Sequence, residues 1–346
     1  MRRRSRGGCY DGADGRGQGA PRTSEGGIKM RIGKITQSRS GTVLALLVGV
    51  CALVLSAAFV SAAVAGPRIA FERRGDIWTI SSTGSGVQRL TQGSAQDGMP
   101  VWKPGRKTIA FLRGPANGSL RRRIMLVPAG GGTPRLLSYA GSTTQPSDRA
   151  ITGLAYSPDG KRLAFADLTF SSPRVGGRVV VIDLKTRKTV VLLHRSARLD
   201  VSWKLSWSPD GRTLLVSRFG QDAEGSATWL LDVASRQVTP LGIADACSAA
   251  WLPDSQRLLV SRLTQAGSSV LLAKRDGSVL GTLATGGGAF AQPPAAPSVG
   301  DACGSPDGLT VAYTVVSPQS GATSLWLMQL DGSAGHRLTA GVEPAW

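Results

Sequence analysis

The sequence predicts an all-β chain folded as a six-bladed β-propeller. Three observations predict it. A hairpin built on Pro-Asp-Gly recurs along the chain, a short apolar strand follows at the same place in every repeat, and the first and last repeats are incomplete in complementary ways. No sustained helical period follows the N-terminal region, and Gly is high at 45 of 346 residues, as expected for many short strands joined by tight turns.

The hairpin is clearest at Trp207-Ser208-Pro209-Asp210-Gly211, between two apolar strands. Pro presets φ for the first central position of a turn, Asp bonds its own backbone, and Gly takes φ > 0 without a steric penalty. Further copies are Tyr156-Ser157-Pro158-Asp159-Gly160, Trp251-Leu252-Pro253-Asp254-Ser255, Ser305-Pro306-Asp307-Gly308 and the shorter Trp102-Lys103-Pro104-Gly105. Successive turn prolines lie roughly 45 to 55 residues apart, the period of a propeller blade.

Taken in order, residues 1–29 are rich in Arg and Gly, lack an apolar pattern and are expected to be disordered. Met30 reads as a second start. Arg31, Lys34 and Arg39 form a positive segment, residues 43–60 are almost wholly apolar, and Ala63-Val64-Ala65 is a small-x-small cleavage site. Residues 30–65 are therefore expected to be a secretory signal peptide. If translation starts at Met1 instead, the apolar helix over 42–65 is long enough to remain as a membrane anchor. Either way residues 66–346 are expected to be exported. Val50 precedes Cys51 where a lipoprotein signal would want a small residue, which argues against a lipid anchor there.

From Pro67 each blade is expected to run from an innermost strand through the Pro-Asp-Gly turn to a second, third and edge strand. The third strand is legible six times, at Ile77–Ile80, Ile124–Val127, Val179–Ile182, Thr228–Leu231, Val270–Ala273 and Leu325–Met328. Edge strands follow at Arg89–Thr91, Arg135–Leu137, Val190–Leu192, Val238–Leu241, Val279–Gly281 and Arg337–Thr339. Arg68–Phe71 matches a second strand with no first strand before it. Glu343-Pro344-Ala345-Trp346 matches the end of a first strand, as in Met99-Pro100-Val101-Trp102. The C-terminal strand is thus expected to complete blade one and close the ring, leaving no open edge at the seam. Trp102, Trp207 and Trp251 share one register position and should pack between blades, with Trp346 filling the matching slot at the seam.

These residues resemble the repeat of TolB-type, WD-repeat-like propellers over residues 66–346: an aromatic before Ser-Pro-Asp-Gly, then Leu-Ala-Phe, then a strand ending in Asp, then Arg-Leu-Thr. The resemblance covers the propeller part only, since no counterpart of the TolB N-terminal α/β domain is read ahead of blade one. It implies a binding or scaffold protein.

Motifs for chemistry are scarce. There is no G-x-S-x-G nucleophile elbow, no H-E-x-x-H, no Walker loop and no Gly-rich dinucleotide turn. His194 and His336 are the only histidines and read as surface residues at edge strands. Asp97, Asp200, Asp245 and Asp301 recur before innermost strands, with Glu343 in the closing strand. They could ring one channel mouth and hold a cation such as Ca²⁺ through oxygen ligands. The competing reading, favoured by their uneven offsets, has them capping turns in water. Cys247 and Cys303 are the only cysteines in residues 66–346 and invite a disulfide in an exported protein. Their register differs by three residues, which works against the ~5.5–6 Å Cα separation a bridge needs, so both outcomes stay open.

The formal net charge is +19, and residues 66–346 alone hold 31 Lys and Arg against 19 Asp and Glu. A basic surface favours anionic partners or simply solubility. Arg121-Arg122-Arg123 is a second candidate for contact with an anionic surface; as a charged loop its ordinary state is solvated. The expected function is a non-catalytic, exported or membrane-anchored scaffold, monomeric and without a cofactor. It would bind a protein or an anionic cell-envelope component, not nucleic acid, with membrane contact only through residues 42–65 if they are not cleaved. The alternative is a lyase-like propeller enzyme using a metal at the channel mouth.

Overall fold

A computed structural model of the protein describes residues 66–117, 121–140, 149–169, 176–196, 202–219, 225–264, 266–287 and 298–346. The expectations for residues 1–29 and 30–65, including the apolar helix and the cleavage site, lie outside the described residues, as does Asp200. No helix among the described residues is long and apolar enough to cross a membrane.

The described strands form six four-stranded sheets. Blade one contains β1 (Arg68–Arg73), β2 (Asp76–Ser81) and β3 (Gln88–Arg89). Blade two is β4 (Gln96–Trp102), β5 (Thr108–Gly114), β6 (Arg123–Pro128) and β7 (Arg135–Leu136). Blade three is β8 (Arg149–Tyr156), β9 (Arg162–Thr169), β10 (Gly176–Asp183) and β11 (Thr189–Ser196). Blade four is β12 (Ser202–Trp207), β13 (Thr213–Arg218), β14 (Ala227–Asp232) and β15 (Val238–Pro240). Blade five is β16 (Ala246–Trp251), β17 (Arg257–Leu263), β18 (Gly267–Lys274) and β19 (Val279–Gly287). Blade six is β20 (Ser298–Gly304), β21 (Thr310–Val316), β22 (Thr323–Gln329) and β23 (His336–Ala340). The last strand, β24 (Val342–Ala345), lies beside β1, so the first sheet runs β24-β1-β2-β3. Ala70 opposes Ala345 and Glu72 opposes Val342 across that antiparallel pair.

The turn chemistry explains the hairpins. Ser157, Ser208 and Ser305 each accept a hydrogen bond at Oγ from the N–H five residues on, that of Arg162, Thr213 or Thr310, at 2.9 Å. The same hydroxyls donate to Asp159, Asp210 and Asp307 at 2.5 Å. Gly160, Gly211 and Gly308 follow with φ of 65°, 74° and 72°. Blade five departs from this. Ser255 takes the left-handed position at φ 58°, and Asp254 alone accepts the Gln256 and Arg257 N–H groups.

Both faces of each sheet are apolar because each packs on a neighbour. Trp102 is buried with Ala70 and Ile77 of blade one, and Phe111 of its own blade. Trp207 is buried against Ala164, Val179 and Val181 of blade three, and Trp251 against Leu215 and Leu241 of blade four. Tyr156 serves blade three in the same register. Blade six has Gly304 there. A Cβ on Gly304 would stand 2.5 Å from Leu252 Cδ2, so the fully buried Leu252 occupies the space an aromatic fills elsewhere. Trp346 packs at the seam against Ile69, Phe71 and Leu327, but it is half-buried, unlike Trp102 and Trp207, and its Nε1 has no partner.

Two further corrections concern edges. The edge strands of blades one and two are only two residues long, and that of blade five runs on to Gly287. Short edges with a charged residue, Arg89 and Arg135, limit pairing with other chains.

Trp207→Ala should destabilise the protein by about 3–5 kcal/mol through lost burial and an interblade cavity. Denaturant unfolding measures this, and a loss below about 1 kcal/mol would contradict the interblade register.

Candidate functional site

Counting back from the turn aromatics exposes the channel. The position one residue earlier holds Val101, Ala155, Ser206, Ala250, Cys303 and Ala345, small side chains that line a central cavity of about 320 Å³. The next position back is Pro100, Leu154, Leu205, Ala249, Ala302 and Pro344, all buried between blades. The next is Met99, Gly153, Lys204, Ser248, Asp301 and Glu343, which line the channel again near one mouth. The period of two along a strand produces this alternation, and six small residues at one level let six innermost strands approach one another.

The mouth is shaped by bulges. Every innermost strand shifts register against its neighbour here, as between Gly98 and Val101 or Gly300 and Cys303. Met99, Gly153, Asp301 and Glu343 have φ of 52°, 56°, 54° and 54°. In blades four and five the shift falls one residue earlier, before Lys204 and Ser248. A left-handed non-Gly residue costs about 1 kcal/mol or more. Met99, Asp301 and Glu343 bear that strain while projecting onto the channel, and bulges re-aim side chains in this way.

Lys204 Nζ donates to Asp301 Oδ1 at 2.7 Å, across the channel from blade four to blade six. Their side chains are 25% and 32% exposed, so solvent reaches both along the channel. Burial works against the Lys204 ammonium, but the Asp301 carboxylate outweighs it and holds the pKa above the usual lysine value. Glu343 Oε2 accepts the Met99 N–H at 2.5 Å. Desolvation and then the Asp301 charge push the Glu343 carboxyl up to about 7. Burial also pushes the Cys247 and Cys303 thiols up to about 12.

The structure brings together Asp301 and Glu343 and separates the other expected ligands. Asp97 is buried and held by Arg113 through two bonds of 2.7 Å within its own blade, which removes it from the mouth. Asp245 lies just before β16, near Arg262 at 3.8 Å and away from the cavity lining. Asp200 is outside the described residues. Among the described residues no three His, Cys, Asp or Glu side chains are placed to share a metal ion, so this donor set does not fit the Ca²⁺ ring. Cys247 and Cys303 are free thiols, not a disulfide, and point to different carbonyls, those of Ser261 and Pro344, at 3.2 Å. His194 and His336 are exposed at their edge strands. Arg121 and Arg123 are exposed, while Arg122 reaches back to Met99 Sδ at 3.7 Å. Lys204 was missed because it breaks the acidic pattern; its register, five residues before Pro209 as Asp301 is before Pro306, would have found it.

No protein-family model matches the sequence, and no curated protein matches it. Solved structures match the fold. TolB from Acinetobacter baumannii superposes with a TM-score of 0.62 at 18% identity, over 81% of this chain and 66% of that one. This chain therefore spans somewhat under two thirds of that TolB. A structure titled as a nidogen/laminin complex matches with a TM-score of 0.58 at 11% identity, over 80% of this chain and 97% of the other. An oligogalacturonate lyase in complex with manganese matches with a TM-score of 0.50 at 14% identity, over 77% and 70%. The TolB-like propeller is thus a shared fold.

The raised Glu343 pKa has a definite sign for stability. Below the unfolded value of 4.5 the group is protonated in both states and contributes nothing. As pH climbs from 4.5 through about 7 the unfolded state ionises first, so the folded state loses stability. Glu343→Gln keeps an acceptor for Met99 and should raise stability by roughly 1–3 kcal/mol at pH 8. Little change is expected at pH 4, and an equal effect at both pH values in thermal melts would contradict this assignment.

Proposed function

We propose that this chain is a non-catalytic propeller, exported or anchored by its N-terminal apolar segment, that binds an anionic envelope component or an acidic protein surface. The observation that carries the reading is the charge balance on the turns of blades two to four. Lys107, Lys161, Lys185, Arg187, Lys188 and Arg212 are exposed on these turns. The carboxylates among them are already engaged. Asp159 accepts the Lys161 N–H, Asp183 accepts the Lys185 and Thr186 N–H groups, and Asp210 accepts the Arg212 N–H. First-to-second and third-to-fourth strand turns lie at the same end of a blade, and Leu184 N–H bonds Lys161 O across them at 2.9 Å. The cations therefore share one face, where their fields add and attract anions.

The lyase-like reading draws on the manganese-bound neighbour of similar fold. It would need a third charged ligand beside Asp301 and Glu343, and among the described residues no three His, Cys, Asp or Glu side chains are placed to share a metal ion. The scaffold reading asks for no residue beyond those in place.

Co-sedimentation with vesicles and capture from envelope extracts test the proposal. Binding to anionic but not zwitterionic vesicles, or capture of acidic proteins, should weaken as salt rises. It should be lost when Lys185, Arg187 and Lys188 are changed to Glu. Equal retention by the triple variant, or no binding in either format, would overturn it.

A further inference from the structure

The channel mouth holds more acceptors than donors. Asp301 Oδ1 is taken by Lys204 and Glu343 Oε2 by the Met99 N–H. Among the described residues the second oxygen of each carboxylate, Asp301 Oδ2 and Glu343 Oε1, accepts no hydrogen bond. Ser248, at the same level of the ring, is only 5% exposed, and its buried Oγ has no partner. A buried hydroxyl left unpaired is costly and uncommon. Charge is also out of balance. Lys204 is one cation beside Asp301 and Glu343, and Glu72 of β1 adds a further carboxylate nearby. The backbone strain at Asp301 and Glu343 marks the same two residues.

We propose that this mouth binds a protonated primary amine, its ammonium seated by Asp301 and Glu343 with Ser248 Oγ as third acceptor. An ammonium has three N–H donors and no acceptor, which matches the second oxygens of Asp301 and Glu343 and, once its rotamer turns toward the channel, the unpaired Ser248 Oγ. Lys204 already demonstrates the chemistry, since its own ammonium sits against Asp301. The small side chains of Ala155, Ala250 and Ala345 leave room in the channel for a linear carbon chain. A lysine side chain of a partner protein and a free polyamine offer the same group. The first source rests on the scaffold reading; amine binding itself does not.

The pH dependence follows from the groups around Glu343. The charges acting on it are those of Asp301 from β20, Glu72 from β1 and Lys204 from β12, and the Cys303 and Cys247 thiols line the same cavity. Both thiols stay protonated up to about 12. An ammonium favours the ionised carboxylate, so binding releases a proton and tightens as pH rises. With Glu343 titrating at about 7, affinity should grow roughly tenfold from pH 6 to pH 8.

Calorimetric titration of the full chain with 1,5-diaminopentane, Nα-acetyl-lysine N-methylamide and uncharged 1,5-pentanediol tests this at pH 6 and pH 8. Both amines should bind and the diol should not, with the roughly tenfold gain at pH 8. Asp301→Asn should weaken binding at least tenfold, and Glu343→Gln should flatten the pH profile, with melting curves showing that each variant folds. If a variant fails to fold, proton release by the wild-type chain at pH 7, read from titrations in buffers of different ionisation enthalpy, replaces it. Tighter binding of the lysine derivative supports a protein source, and tighter binding of the diamine a polyamine. Equal binding of amines and diol, no binding, no proton release, or an unchanged profile in Glu343→Gln would overturn the proposal. None of these outcomes bears on the cationic turns, whose test uses other residues.

Discussion

The structure depends on burying two apolar faces per blade at once. A four-stranded sheet buries one face on the blade before it and the other on the blade after it. The interblade layers around Trp102, Tyr156, Trp207, Trp251 and Leu252 carry out that burial. A fully buried aromatic or leucine is worth several kcal/mol of combined transfer and cavity terms. An isolated blade would lose one or both layers and leave its innermost strand as an open edge. Each sheet therefore needs a neighbour on both sides. In blade one, where β24 lies beside β1 and Trp346 packs in the cluster that holds Phe71, that need is met by residues far apart in sequence.

The channel chemistry is a by-product of the same geometry. The alternation that sends Trp and Leu outward between blades sends the intervening positions inward. Small residues at one level set the bore of the channel, and the bulge one step earlier turns longer side chains toward its mouth. Because the six copies differ at that step, the mouth is not a uniform ring. It carries one lysine, two carboxylates, a serine, a methionine and a glycine. Such asymmetry suits recognition of a specific group better than coordination of a metal by identical ligands.

The sequence reading and the structure agree where local chemistry is repeated. The Pro-Asp-Gly turns fix hairpin positions, and the third strands are continuous apolar runs that admit no other period. Agreement fails where one copy differs from the rest. Asp97 looks like Asp301 in the sequence, yet Arg113 lies directly across the pair and captures it. Leu252 and Gly304 each look like a lost consensus residue, but they are complementary, the side chain of one filling the space vacated by the other. Lys204 and Ser248 interrupt the acidic repeat, so the repeat does not reveal them. Pair contacts between neighbouring blades decide these cases, and a single repeat does not encode them.

Thermal unfolding of residues 66–346 against residues 66–340 tests the account most directly. Removing residues 341–346 takes away β24, Trp346 and Glu343, exposing the edge of β1 and opening one interblade layer. A loss of several kcal/mol is expected, well beyond ordinary fraying of a terminus, which corresponds to a drop of about 8 °C or more in Tm. A truncated chain that melts within a degree or two of its parent would contradict closure of the ring by its last strand.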